Sequence, residues 1–233
     1  MLPRDRLIVA LDVPSVEEAW ALIDKLGDSV GVYKIGLELL FSGGFALAKE
    51  LAQRGHPVFV DAKLLDIEAT VERATAAIAQ MGAAFLTVHA LDRKTLAAAA
   101  RGRGDSALML LGVTVLTNLA PADVIEQGID HPLPELVLHR AKLAREAGLD
   151  GVIASGHETA QIRDAMGPQF LIVTPGVRPQ GSAAQDQARA VTPRIAISAG
   201  ADYLVVGRPI TRAPDPRMAA DSIVAEMAEA LAG

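Results

Sequence analysis

The sequence predicts a single (β/α)8 TIM barrel over residues 1–233. Short runs rich in Val, Ile and Leu alternate with longer segments of helical composition, the pattern of βα units around a parallel sheet. Eight such runs fit into 233 residues, a length just under the usual size of that fold and with little room for a second domain. A doubly wound sheet alternates in the same way, but the Gly-x-Gly-x-x-Gly turn expected after its first strand is absent. Asp12-Val-Pro-Ser15 stands there instead.

The first strand falls at Leu7–Leu11, and Ser15-Val-Glu-Glu18 behind it has the capping-box spacing that opens a helix. Gly27 ends that helix before a second strand at Val32–Ile35, and Gly55 ends the next before a third strand at Val58–Ala62. The spacing of Ile67, Val71, Ala74 and Ile78 predicts a helix over Ile67–Gln80 with those four residues on one face, closed at Gly82. Strands follow at Phe85–Val88, Ala107–Val115, Gly151–Ala154, Phe170–Val173 and Tyr203–Val206, with Gly148 and Gly200 at helix ends. Trp20 and the Ala97–Ala100 run read as packing and helix propensity.

The formal net charge of −6 excludes a general polyanion-binding surface, while 51% hydrophobic and 21% charged residues describe a chain that buries a core. Cysteine is absent, which removes disulfides, thiol nucleophiles and iron–sulfur clusters and fits a reducing compartment. The charged start, Met1-Leu-Pro-Arg-Asp-Arg6, with only Leu7–Leu11 apolar behind it, predicts no export signal. The longest uncharged stretch, Ala74–Leu91, holds Thr75, Gln80, Gly82, Thr87 and His89 and reads as two elements, not a membrane span. A cytoplasmic protein is expected. Five histidines, at 56, 89, 131, 139 and 157, show no metal-ligand spacing, and only His89 falls at a strand end.

Strands of a parallel sheet are apolar on both faces, so ionisable groups at their C-terminal ends are the informative exceptions. Asp12 follows the first strand, Lys34 lies in the second, Asp61 and Lys63 end the third, and Arg208 follows the eighth. In a barrel these positions converge on one mouth, where active sites are built. Strand alternation places Asp61 and Lys63 on one face, with Asp66 in the turn beyond. A lysine among carboxylates is held as an ammonium, a poor Schiff-base nucleophile but a good fixed cation and proton donor. Alone, Asp-x-Lys reads as a structural ion pair; Lys34 and Asp12 beside it turn the reading toward chemistry.

Late in the chain, Val173-Thr-Pro-Gly-Val-Arg178 follows the seventh strand and Val206-Gly-Arg208-Pro the eighth. Loops after strands 7 and 8 frequently hold phosphate through freed backbone N–H groups, and arginine adds a bidentate partner. Gly176, Gly207 and Arg208 suit that role, with ordinary turn chemistry as the alternative. The long polar segment Pro175–Val191 reads either as a lid carrying Arg178 and Gln187 or as a merely mobile loop.

From Leu7 to about Thr211 the chain resembles the bacterial-type orotidine 5'-phosphate decarboxylase family. Asp61-Ala-Lys63-Leu-Leu-Asp66-Ile67 matches that family's Asp-x-Lys-x-x-Asp-Ile signature. Around it stand Ala10-Leu-Asp12, Tyr33-Lys-Ile-Gly36, Gly112-Val-Thr-Val-Leu-Thr117, Val173-Thr-Pro-Gly-Val-Arg-Pro179, Asp186-Gln187 and Val206-Gly-Arg-Pro209, in the family's order. The resemblance implies a cofactor-free, metal-free homodimer converting orotidine 5'-phosphate to UMP. It implies Lys63 as proton donor between Asp61 and an Asp66 from the partner subunit, with Lys34 completing the network. It further implies Asp12 and Lys34 on the ribose, Thr117 on the pyrimidine, Thr70 among the substrate contacts, and Arg178, Gln187, Gly207 and Arg208 on the phosphate. Two stretches depart from the family pattern: Glu68-Ala69 stands where Pro-Asn is usual before Thr70, and Leu91-Asp-Arg-Lys94 replaces a Gly-Gly.

The rival on the same fold is the hexulose-phosphate synthase and ketogulonate-phosphate decarboxylase group, which shares Asp-x-Lys-x-x-Asp but uses Mg²⁺ and an enediolate, and whose members resemble one another in carrying Glu where Lys34 stands here. A non-catalytic nucleotide-binding barrel would keep Gly207 and Arg208 but has no need of Asp61, Lys63 and Asp66.

Overall fold

The computed structural model describes residues 1–179 and 191–232. Eight parallel strands, β1 (Leu7–Ala10), β2 (Val32–Ile35), β3 (Val58–Leu64), β4 (Phe85–His89), β5 (Met109–Val113), β6 (Gly151–Ile153), β7 (Leu171–Thr174) and β8 (Tyr203–Val206), pair in chain order, and β8 closes on β1. The principal helices between and after them are α1 (Val16–Leu26), α2 (Phe45–Gln53), α3 (Glu68–Met81), α4 (Arg93–Arg103), α5 (Leu133–Glu146), α6 (Thr159–Met166), α7 (Pro193–Ser198) and α8 (Pro216–Ala232). Short helical turns at Leu37–Leu39, Pro121–Glu126 and Arg208–Thr211 sit in the loops after β2, β5 and β8. The expected barrel is the one observed.

Period-two alternation divides each strand between two cores. Ile8, Ala10, Val32, Phe59, Phe85, Leu111, Val173 and Val205 point inward and fill the barrel. Phe85 anchors that interior, its ring 5.8 Å from Phe59 and 5.2 Å edge-on to Tyr203. The intervening residues, among them Leu7, Val9, Ile35, Val60, Leu86, Val152, Ile172 and Leu204, face outward and are covered by the helices. Each such fully buried side chain contributes about 1.5–3 kcal/mol of transfer free energy, which is why the strands need no polar decoration except where the barrel opens.

Ser15 caps α1, its Oγ accepting from the Glu18 N–H at 3.2 Å, and Gly82 ends α3 in the left-handed region at φ +85°. Three expectations need correction. Ile67 does not share the buried face of Val71 and Ile78; it precedes α3 and is 73% exposed, near the also exposed Leu65. The third strand runs on to Leu64, because a bulge lets Leu64 rejoin the ladder opposite Val88. The fifth is only Met109–Val113, since apolar residues continue on both sides of it, at Ala107, Leu108 and Val115, and hide where ladder pairing starts and stops. Where the family usually has Gly-Gly, Asp92 caps α4, accepting from the Thr95 N–H and hydroxyl at 2.8 Å each. Glu68 and Glu72 both pair with Arg101, clipping α3 to α4.

The N-terminal rim is locked by one device used twice. Asp150, just before β6, accepts from the Leu110 N–H of β5 at 2.7 Å and from Arg103 of α4 at 2.8 Å. Asp202, just before β8, accepts from the Ile172 N–H of β7 at 2.8 Å and from Arg163 of α6 at 2.6 Å. Arg163 also donates to the carbonyls of Gly167, Phe170 and Gly200. Replacing Asp202 leaves a backbone donor and a guanidinium without their acceptor. Asp202→Ala is expected to lower stability by about 2 kcal/mol, read as a lower urea midpoint at unchanged slope; an unchanged midpoint would show that the clamp contributes nothing.

Candidate active site

Charged residues alternate along the C-terminal ends of β1, β2 and β3. The sheet register sets Ala10 beside Lys34 and Lys34 beside Phe59, so Asp12, Lys34 and Asp61 emerge at neighbouring heights. Lys34 Nζ lies 3.1 Å from Asp12 Oδ1 and 3.3 Å from Asp61 Oδ2, and Lys63 Nζ lies 2.8 Å from Asp61 Oδ1. Lys34 and Asp61 are buried, whereas 29% of the Lys63 side chain is exposed and faces the mouth. Gly36 leaves room for this array: a Cβ there would stand 3.0 Å from Asp12 Oδ1 and 3.1 Å from Lys34 Nζ.

Simple alternation does not deliver Lys63. β3 is regular through Val60, and the next ladder contact is Leu64 with Val88, so residues 61–63 bulge. Lys63 has φ +48°, the one left-handed non-glycine among the described residues. A bulky residue held there costs on the order of 1–3 kcal/mol, which the surroundings must supply. Thr87 of β4 does so: its Oγ accepts from the Lys63 N–H at 2.9 Å and donates to Asp61 Oδ1 at 2.9 Å. Asp61 and Lys63 therefore share the mouth, as expected, but through a bulge.

Burial opposes both charges of the buried pair, and the pairing outweighs it. Desolvation would lower Lys34, yet Asp61 and Asp12 hold its pKa above the ordinary lysine value. Desolvation would raise Asp61, yet Lys34, Lys63 and the Thr87 hydroxyl hold it below the ordinary carboxylate range. Burial, then Lys63 and Arg140, push His89 downward; it ends β4 but does not line the cavity.

Across the mouth, the array faces a cavity of about 460 Å³. Ala10, Phe59, Val113, Ile153 and Val205 line its apolar part, Thr117, Gly176, Arg178, Arg208 and Arg212 complete its wall, and Gly207 sits beside Asp12, where a Cβ would stand 3.8 Å from Asp12 Oδ2. Arg178 is buried; its backbone N–H donates to the Val191 carbonyl at 2.9 Å, and its Nε has no hydrogen-bond partner among the described residues. Burial, then the like charge of Arg208, lowers its pKa. Two guanidiniums that repel each other beside a concavity form a place where an anion is favoured. Gly176 at φ +73° turns the chain there, a conformation that glycine alone adopts freely.

Of the sequence-predicted residues, Asp12, Lys34, Asp61, Lys63, Thr117, Arg178, Gly207 and Arg208 thus meet around one cavity. Asp66 and Thr70 do not line it: Asp66 is exposed, accepting from its neighbour Ile67 N–H at 2.6 Å, and Thr70 lies in the first turn of α3. Gln187 lies outside the described residues. Sequence reasoning missed Thr87, Glu38 and Arg212, and quoted Gly36 in a motif without giving it a role. Thr87 carried a signal, a hydroxyl at the inward position between Phe85 and His89; Arg212 follows Arg208 by one helical turn, and its N–H donates to the Arg208 carbonyl.

Fold and mouth together define a (β/α)8 barrel whose C-terminal mouth carries an alternating Asp–Lys–Asp–Lys array and a pair of arginines around one cavity. The model of the Orotidine 5'-phosphate decarboxylase / HUMPS family matches residues 5–223, and the chain belongs to that family. A relative from Rhodopseudomonas palustris (strain HaA2), named orotidine 5'-phosphate decarboxylase, is 53% identical over 227 residues, covering 97% of this chain and 96% of that protein. One of the same name from Methylobacterium sp. (strain 4-46) is 54% identical over 99% of this chain and 98% of its own. The crystal structure of orotidine 5'-phosphate decarboxylase from Lactobacillus acidophilus superposes with a TM-score of 0.83 at 39% identity, covering 95% of this chain and 98% of that one.

The two shifted groups set a pH window. Asp61, depressed in the folded state, contributes stability that is fully present above the unfolded aspartate value of about 3.9 and is lost as pH falls through its lower folded value. Lys34, raised, contributes below the unfolded lysine value of about 10.4 and loses that contribution only as pH rises past its folded value. Asp61→Asn should therefore lower the neutral-pH plateau and flatten the acid limb of unfolding free energy against pH. An acid limb as steep as that of the unsubstituted protein would contradict this assignment.

Proposed function

We propose that the chain decarboxylates orotidine 5'-phosphate to UMP, the last step of de novo UMP synthesis, with Lys63 as proton donor. The observation that carries the reading is the Lys63 ammonium held 2.8 Å from Asp61 on a cavity whose wall also presents Arg178 and Arg208. In this reading Arg178, Arg208, Gly207 and Gln187 take the phosphate, Asp12 and Lys34 the ribose hydroxyls, and Thr117 the pyrimidine.

The C6–carboxylate bond breaks, CO₂ leaves, and the electron pair stays on C6. No adjacent carbonyl delocalises it, so the charge is met electrostatically by the preorganised Lys63 ammonium. Nζ then gives its proton to C6, forming UMP, and the resulting amine regains a proton from water. Asp61 beside the departing carboxylate adds repulsion to the ground state. Phosphate contacts far from C6 supply binding energy that orders the site.

The same reading makes the protein a cytoplasmic homodimer in which Asp66 serves the partner's site and Thr70 is among the substrate contacts. In support, Asp66 stands exposed between Leu65 and Ile67, which are 51% and 73% exposed, on the loop beside the mouth. No helix among the described residues is long and apolar enough to cross a membrane. Against Mg²⁺-dependent chemistry, the Lys34 ammonium lies between Asp12 and Asp61, where it repels a divalent cation and occupies the carboxylates that would bind it.

Lys63→Ala should abolish release of CO₂ while UMP still binds, and decarboxylation by the unsubstituted protein should survive EDTA; near-normal turnover by the variant, or strict Mg²⁺ dependence, overturns the mechanism. Mixing inactive Lys63→Ala with inactive Asp66→Ala should restore roughly a quarter of full activity, because half the dimers are then mixed and each holds one intact site. A mixture that stays inactive although the subunits exchange would place Asp66 in its own subunit's site.

A further inference from the structure

Thr87 has no exposed surface, lies on β4 and not on the charge-bearing strands, and does not line the cavity. It nevertheless joins the two ends of Lys63. Its hydroxyl oxygen accepts from the Lys63 N–H, and its proton goes to Asp61 Oδ1, the oxygen that holds Lys63 Nζ at 2.8 Å. The ring thus formed runs from the Lys63 backbone through Thr87 to Asp61 and returns through the ammonium. The bulge takes residues 61–63 out of the ladder, so this hydroxyl replaces a strand partner for the Lys63 N–H. The hydroxyl also occupies Oδ1 from a second direction, so that the Asp61 carboxylate cannot rotate without losing Thr87, Lys63 or Lys34.

We propose that Thr87 is a positioning residue for catalysis: its hydroxyl fixes Lys63 in the left-handed conformation and fixes the Asp61 carboxylate, so that the Nζ proton is held where it is delivered. The inference rests on Lys63 being the proton donor. A threonine fits where serine or valine would each supply only half. The hydroxyl makes both bonds, and the γ-methyl keeps the inward face packed and limits χ1 to few rotamers.

Thr87→Val keeps the shape and removes both hydrogen bonds; Thr87→Ser keeps the bonds. For Thr87→Val, kcat on orotidine 5'-phosphate is expected to fall about 10- to 100-fold, as a misplacement of about 1 Å in a reacting group does. KM and the affinity for UMP should stay within about threefold, since the phosphate and ribose contacts are untouched. Thr87→Ser is expected to recover most of kcat. The inference is overturned if Thr87→Val retains full kcat, if KM and UMP affinity deteriorate as much as kcat, or if Thr87→Ser is as impaired as Thr87→Val. Absence of decarboxylation in the unsubstituted protein would instead remove the proposed function beneath it. Should Thr87→Val not fold, Thr87→Ala with the same serine comparison reads the hydroxyl's contribution.

Discussion

Asp61 shares its two oxygens between two ammoniums, and much of the surrounding architecture follows from keeping that carboxylate paired. A buried charge without a partner costs several kcal/mol, and removing one partner of a buried pair costs more than the pair contributes. Lys34 is only 7% exposed, so its presence in β2 is tolerable only while Asp12 and Asp61 flank it. This fixes the relative heights of three strands, because a shift of one residue would turn Lys34 into the outer core. It also explains glycine at position 36, where even a methyl group would crowd the Asp12–Lys34 contact.

The cavity is electrically polarised from one side to the other. Mixed charges on β1–β3 form a self-compensated array, while the loops after β7 and β8 bring two like charges together, so that burial and then Arg208 depress Arg178. Between them lies an apolar floor of Phe59, Val113, Ile153 and Val205 that keeps the local dielectric low and strengthens both ends. A net charge of −6 and a site for an anion are therefore compatible: the sum over the chain says nothing about a field focused inside one mouth.

Most of the fold was legible because a parallel barrel strand is defined by apolar content, and Val32–Ile35 and Tyr203–Val206 were read to the residue. The array was legible for the complementary reason, that charges at the ends of apolar runs stand out. What escaped notice depended on three-dimensional exceptions. The bulge at 61–63 breaks the period-two rule that was used to pair Asp61 with Lys63, so the expected neighbours met by another route. Ile67 fitted the helical period of Val71 and Ile78, but that period cannot tell a core face from a loop residue left facing outward. Thr87 offered only a weak signal, an inward hydroxyl, since a lone threonine in a strand is ordinary β composition until its hydroxyl is seen between Lys63 and Asp61.

The left-handed lysine also explains why the site lies at this end of the strand. β3 stays paired with β2 only through Val60, and beyond it Leu64 meets Val88 on one side alone. Placed mid-strand, a residue at φ +48° would break ladders with both neighbours and expose their N–H and C=O groups inside the barrel, a loss of several hydrogen bonds on top of the backbone strain. Placed at the C-terminal end, it sacrifices little pairing, and a single hydroxyl from β4 satisfies the N–H it frees. The opposite rim, where Asp150 and Asp202 take up strand N–H groups and anchor arginines from the outer helices, has no comparable freedom. The strain at Lys63 is thus confined to a strand end that the ladder has already released, while the ends that hold the barrel together keep their backbone groups bonded.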